Sequence, residues 1–371
     1  MNFKLNKTEE KKLLALFDQH EKNIDYLLYL KETIWNNPGI NSSIFTNKST
    51  FEKRTLFIDE LLRIKGIDNE FVKKSVRWDT NLIDIREFNN NPYLNALKNV
   101  AFDDGDWCLK QKTMKAYSLF PYEEEYHYGD NASLKMNLGF FDQDYAYPTI
   151  SLDDQEWMSL NPFEIRTMQI PLALAKGKVL TLGLGLGYYA YMAHLKEDVK
   201  EVHIVEMDLD LIKAFNQYLL PLFPYKEKIH IHKADAFFFI NNIKDKEYDF
   251  IFADLWHDAS DGLPAYLKLK KAFNAFKYTR CTYWIEGSLI SYLRLLTIGV
   301  IKDEYQNLDA DYDEIQLTIK KQLNNVTISN NYDIDSLLSI KGLLSLFLQN
   351  HYHIIIHKII KCDIITYGKK D

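Results

Sequence analysis

Three glycines at alternate positions, Gly183, Gly185 and Gly187, stand between an apolar run and a second apolar stretch in Val179-Leu-Thr-Leu-Gly183-Leu-Gly185-Leu-Gly187-Tyr-Tyr. A buried strand that enters such a turn and leaves as a helix lets a ligand approach its backbone closely, because glycine adopts turns closed to other residues. Free N–H groups at the start of the following helix suit an anionic or polar ligand. Acids then recur at the ends of the next apolar runs. Glu206, in Val205-Glu206-Met207-Asp208, falls 19 residues after Gly187 and is placed to accept from two ribose hydroxyls. Asp235, followed by Ala236, is placed to accept from an exocyclic amine, or to cap a helix. Asp254 opens Asp254-Leu-Trp-His257-Asp258. The cofactor set read from this pattern is Gly183, Leu184, Gly185, Gly187, Tyr188, Glu206, Met207, Asp235, Ala236 and Asp254. The catalytic set is Asp254, His257 and Asp258. His257 is the first choice of general base by intrinsic pKa, with a loop histidine satisfied by Asp258 as the plainer alternative.

These residues need a particular frame. Strands are expected at Lys178–Leu182, Val202–Glu206, Ile229–Lys233, Tyr248–Ala253 and Thr282–Ile285. Helices are expected at Tyr188–Lys196, Leu209–Tyr218, Ala236–Ile243 and Leu263–Phe276. Repeated βα units imply a parallel sheet with helices on both faces. All the named acids then lie at the C-terminal ends of parallel strands, where open α/β sheets bind ligands.

Ahead of this frame, residues 1–112 read as helical. Leu13, Leu14, Leu16, Phe17, Ile24, Leu27 and Leu28 recur at helical spacing until Asn37-Pro38-Gly39, and Ser49 with Glu52 is a capping box opening Thr50–Lys65. Residues 113–160 read as a small β-rich unit and Asn161-Pro162 as a helix start. Residues 161–371 form the cofactor domain, with a helical insertion at about 288–350 and a terminal strand pair in His351–Tyr367.

The stretch from about Leu152 to Phe276, a third of the chain, resembles spermidine synthases and related class I S-adenosylmethionine-dependent methyltransferase-like proteins. Gly183–Gly187, Val205–Asp208, Asp235–Ala236 and Asp254–Asp258 stand where that family has its glycine loop and its three strand-end acids. The approach through Leu152-Asp153-Asp154 and Glu164–Met168 to Pro171 also matches, and in the family this helix lines the active site. The resemblance implies an α/β class I methyltransferase (Rossmann-like) fold with a seven-stranded, mostly parallel sheet. It also implies adenosine held by Glu206 and Asp235, with S-adenosylmethionine or its decarboxylated form as cofactor. Three departures separate the chain from the aminopropyl-transferring members. Leu186 replaces an acid in the glycine loop, the strand-four segment lacks its serine and is longer by one, and Ile165-Arg166 replaces a Tyr-His pair. An uncompensated buried ammonium is costly, so methyl transfer from S-adenosylmethionine to a small-molecule acceptor is the preferred expectation. An altered aminopropyltransferase and a non-catalytic adenosine-binding scaffold are the alternatives.

Other features carry less. Trp256, Tyr188 and Tyr189 are either an acceptor pocket or packing, and Arg166 is either a carboxylate clamp or a surface residue. Glu123-Glu124-Glu125 reads first as a solvated loop and second as an attractor of a cationic acceptor. His351, His353 and His357 would share a strand face as a weak metal candidate, and His230 and His232 pair on a third strand expected to be central. The formal net charge of −7 argues against nucleic acid as the main partner. Three scattered cysteines fit a reducing compartment, and no signal peptide or membrane span is read, so a cytoplasmic protein and possible homodimer is expected.

Overall fold

The computed structural model describes residues 1–35, 39–128, 132–324, 326–329 and 334–348. The expected terminal strand pair, with His351, His353 and His357, lies outside the described residues.

The chain begins with an amphipathic helix, α1 (Lys7–Trp35), which buries Leu13, Leu16, Phe17, Tyr26 and Leu30 on one side. Then follows α2 (Thr50–Ile64). It carries the expected capping box, with the Ser49 hydroxyl accepting from the Glu52 amide and the Glu52 carboxylate accepting from the Ser49 amide. A short helix, α3 (Pro92–Leu97), has proline in its first turn and Asn91 as its cap.

Four strands form an antiparallel sheet in the order β4-β3-β2-β1: β1 (Phe102–Asp104), β2 (Trp107–Met114), β3 (Tyr145–Leu152) and β4 (Gln155–Ser159). The β3–β4 hairpin turns through Asp153 and Asp154, both in left-handed conformation. After it, α4 (Pro162–Thr167) leads into the parallel sheet.

That sheet has five described strands: β5 (Gly177–Leu182), β6 (Val199–Glu206), β7 (Ile229–Lys233), β8 (Phe250–Ala253) and β9 (Arg280–Tyr283). Their order is β7-β6-β5-β8-β9 and every pairing is parallel. The helices are α5 (Tyr188–His194), α6 (Leu209–Ala214), α7 (Ala236–Ile240), α8 (Ala259–Phe273) and α9 (Glu286–Gln306). Val179, Leu180, Leu182, Val202, Ile204, Ile251, Phe252 and Ala253 are almost wholly buried on both faces, as a parallel sheet covered by helices requires.

Three expectations are corrected. The described sheet has five strands and not seven. β7, the third strand, is an edge and not central, because the chain returns from it to add β8 on the far side of β5. The region after Gly287 is not purely helical: Thr327–Ser329 pairs in parallel with Asn2–Lys4, tying the N-terminal residues to the inserted segment. Among the described residues, no helix is long and apolar enough to cross a membrane.

Candidate active site at the C-terminal strand ends

β5 delivers the chain into Gly183, Gly185 and Gly187, with φ of +98°, +49° and +74°. A side chain at Gly183 would place its Cβ 2.0 Å from the Asp254 carbonyl oxygen, so this turn is tight against the end of β8. At Gly185 the neighbour is the far end of a flexible side chain, Met158 on β4, 2.4 Å from an added Cβ. The Met158 Sδ also accepts from the Leu186 amide at 3.3 Å. The β3–β4 hairpin therefore lies over the glycine loop, and Trp157 reaches His257 edge-on at 4.6 Å between ring centres. Gly185→Ala is expected to displace Met158 and to cost about 1 kcal/mol from the left-handed backbone. Urea unfolding measures it, and an unchanged midpoint would deny that the hairpin rests on the loop.

Glu206 ends β6 with its carboxylate held by three backbone amides. Oε1 accepts from Met207 at 2.7 Å and Asp208 at 2.8 Å, and Oε2 accepts from Leu184 of the glycine loop at 3.2 Å. The glycine loop and the acid are thus fixed to each other. Met207 is exposed, while Leu184 and Ala236 are buried. Asp235 caps α7, accepting from the Phe238 amide at 2.7 Å, and remains exposed. Tyr188 is buried, and its hydroxyl accepts from the Asn91 side chain at 2.9 Å, away from any open space. Tyr189 stacks on Phe252 at 4.1 Å, and Trp256 is buried against Gly262. All three rings are buried, and the Tyr189 hydroxyl and the Trp256 Nε1 find no hydrogen-bond partner among the described residues.

The strand-four segment divides its roles. Asp258 caps α8: it accepts from the Ser260 hydroxyl and from the Ser260 and Asp261 amides. Burial works against its charge, but these hydrogen bonds and the nearby His257 hold it below the usual carboxylate range. His257 is exposed and faces Asp261, 3.0 Å from Nδ1 to Oδ2, rather than Asp258. Neither is poised as a buried base.

Asp254 differs from both. Its carboxyl accepts no hydrogen bond among the described residues, and burial pushes its pKa up to about 7. Glu164 on α4 is the second such group. Burial, then the charge of Asp254, raises it well above the usual range, and its carboxylate also lacks a hydrogen-bond donor among the described residues. Both side chains remain partly reachable by water. Glu164 was visible in the sequence only as a member of the approach helix.

The triple-glutamate segment is not a solvated loop. Glu123 pairs with Arg166 at 2.5 Å, so Arg166 is not a free surface cation. Ile285 turns left-handed, φ +46°, at the entry to α9 and presents that helix's first amides to Glu124. The Ser288 amide donates to Glu124 at 3.0 Å and the Ser288 hydroxyl to Glu125 at 3.1 Å. Burial raises Glu124 to about 7 and raises Glu125, on which the charge of Asp258 also acts. Acids from β8, α4 and the segment before Tyr126 therefore converge around one end of the parallel sheet.

No protein-family model matches this sequence, and a comparison with curated proteins finds no match. Solved structures give low-level similarity. Spermidine synthase from Thermotoga maritima matches over 47% of this chain and 68% of its own at 16% identity and a TM-score of 0.30. A probable spermidine synthase from Corynebacterium glutamicum ATCC 13032 matches over 42% and 52%, at 13% identity and 0.27. A spermidine synthase in complex with the transition state analogue AdoDATO matches over 43% and 61%, at 18% identity and 0.29. At these scores the architecture rests on the strands and pairings described above.

Proposed function

We propose that this chain binds an adenosyl sulfonium cofactor at Gly183–Gly187 and Glu206 and transfers an alkyl group from it to an amine. The observation that carries the reading is the Glu164–Asp254 pair, two carboxyl groups at the C-terminal end of the sheet, partly reachable by water, with raised proton affinity and no hydrogen-bond donor among the described residues. An amine supplies what both lack. Its nitrogen attacks the carbon beside the sulfonium, the carbon–sulfur bond breaks to leave a thioether, and the new ammonium passes its proton to Asp254 or Glu164. A base near pH 7 is matched to that task.

The same acids bear on the form of the cofactor. A carboxylate on the cofactor would hold Glu164 and Asp254 still more firmly in their protonated form, unable to take a proton, whereas the decarboxylated form brings only an ammonium, which favours their charged form. We therefore place aminopropyl transfer first. Leu186, which offers no acid within the loop, favours the full S-adenosylmethionine and methyl transfer as the second reading. Calorimetric titration with both cofactor forms separates them. Tighter binding of the decarboxylated form, weakened in Glu164→Gln, supports the first reading. Tighter binding of the full cofactor, indifferent to Glu164, supports the second. Binding of neither removes both.

A further inference from the structure

A second cluster of reactive side chains lies on the sheet away from this pair. On β6 the spacing of two puts Glu201 and His203 on one face, and on β7 it does the same for His230 and His232. The parallel register sets His203 beside His230, and the two rings stack at 4.7 Å. Nε2 of His203 faces Glu201 Oε2 at 2.9 Å, and its Nδ1 faces His232 Nε2 at 2.8 Å. Ligand atoms of Glu201, His203 and His230 all lie within 4.8 Å of one another.

We propose that Glu201, His203 and His230 form a binding site for one divalent transition-metal ion of the zinc type. The donor set, two imidazoles and a carboxylate with a position left for water, is one that zinc accepts. Ligands of a tetrahedral ion with bonds of ~2.0–2.1 Å stand roughly 3.3–3.5 Å apart, so the cluster closes by side-chain rotations of about 1 Å. His203 already has the support that a ligating imidazole needs. Its Nδ1 can donate to His232, which leaves the Nε2 lone pair directed at the ion, as outer hydrogen bonds fix metal-bound histidines elsewhere. His230 is exposed at the edge, and its ring makes no hydrogen bond among the described residues, so it is available and open to entry from solvent.

One group opposes the ion. Lys178 Nζ stands 3.9 Å from Glu201 Oε2, but it also lies 4.9 Å from the centre of the Tyr248 ring and has that face as a second seat. The site sits about 10 Å along β6 from Glu206, counting ~3.3 Å per residue, and so is structural rather than catalytic. Its effect would be to fasten the strand β7, the last in the described sheet order, to β6.

The test uses the full chain without a histidine tag, stripped with a chelator and titrated with Zn²⁺ by calorimetry and with Co²⁺ by visible absorption. One equivalent is expected to bind and to raise the thermal midpoint. His230→Ala, at an exposed position, is expected to weaken binding by at least about tenfold while the metal-free midpoint stays put, and Lys178→Gln is expected to tighten it several-fold. No saturable binding below about 100 µM, or binding unchanged in His230→Ala, overturns the proposal. So does binding that disappears only when His351, His353 and His357 are replaced.

Discussion

Asp254→Asn is expected to make the protein more stable above pH 7 while removing its activity. Burial raises the Asp254 carboxyl from its ordinary 3.8 to about 7. In the unfolded chain the group ionises near pH 4, whereas in the folded chain it keeps its proton until about pH 7. The folded state therefore loses stability as pH rises between those values, and the penalty is constant above them. Each tenfold rise in proton affinity corresponds to about 1.4 kcal/mol, which gives a ceiling of about 4 kcal/mol, and relaxation of the site with water reduces it to about 2 kcal/mol. Asparagine keeps the shape and removes the charge. Its thermal midpoint should equal that of the parent near pH 4 and exceed it by about 2–3 °C at pH 8. Scanning calorimetry across that range measures the difference, and a gap independent of pH would exclude Asp254 as the group that carries the proton. Turnover should fall by about 100-fold or more, and the rising limb of the parent's pH–rate profile should lie near pH 7. A site that is destabilising in the resting protein and useful only with ligand present is the expected signature of a functional carboxylate.

The second large effect is expected at Glu206. Glu206→Ala strips three backbone amides of their acceptor at once, those of Leu184, Met207 and Asp208. One of the three belongs to the glycine loop, so the substitution removes a ligand group and loosens the loop that ligands approach. Two of the three bonds are part-buried and that of Met207 is exposed, so the loss costs about 1 kcal/mol in stability, the low end for an unpaired donor. Cofactor affinity should fall further, by about 100-fold, or ~2.7 kcal/mol. Glu206→Gln keeps one acceptor oxygen and should fall between the two. Titration of either adenosyl cofactor form measures this, and parent-like affinity in Glu206→Ala would remove the ribose role assigned to Glu206.

The βα frame was legible because its signals are local. Near-continuous apolar strands, three spaced glycines and capping acids each speak through neighbours in sequence, and β5 to β9 fall within three residues of where the pattern put them. Cap and catalyst look alike at that level. Asp235 and Asp258 both cap helices in the structure, and only tertiary packing separates them from Asp254, which is left without a donor among the described residues. The groups that sequence reasoning missed arrive from far along the chain. Met158 reaches the glycine loop across a hairpin, Glu124 meets α9 after a gap of 164 residues, and Glu164 acquires its character only from the burial it shares with Asp254. The edge position of β7 was misjudged because strand order is a property of crossovers, which leave no mark in a strand's own composition.

The hydroxyl of Tyr93, in α3, donates to the carbonyl of Leu186 at 2.5 Å, and its ring stacks on Tyr191 at 4.3 Å. Asn91 holds Tyr188 from the same segment. The glycine turn is thus finished by residues some ninety positions upstream, and the core cluster that surrounds it draws members from as far apart as Leu13 and Leu346. In evolutionary terms, the half that carries the glycine turn is not a cassette that recombination can lift out with the turn intact. A chain without its first hundred residues would lack both the donor to Leu186 and the partner of Tyr188.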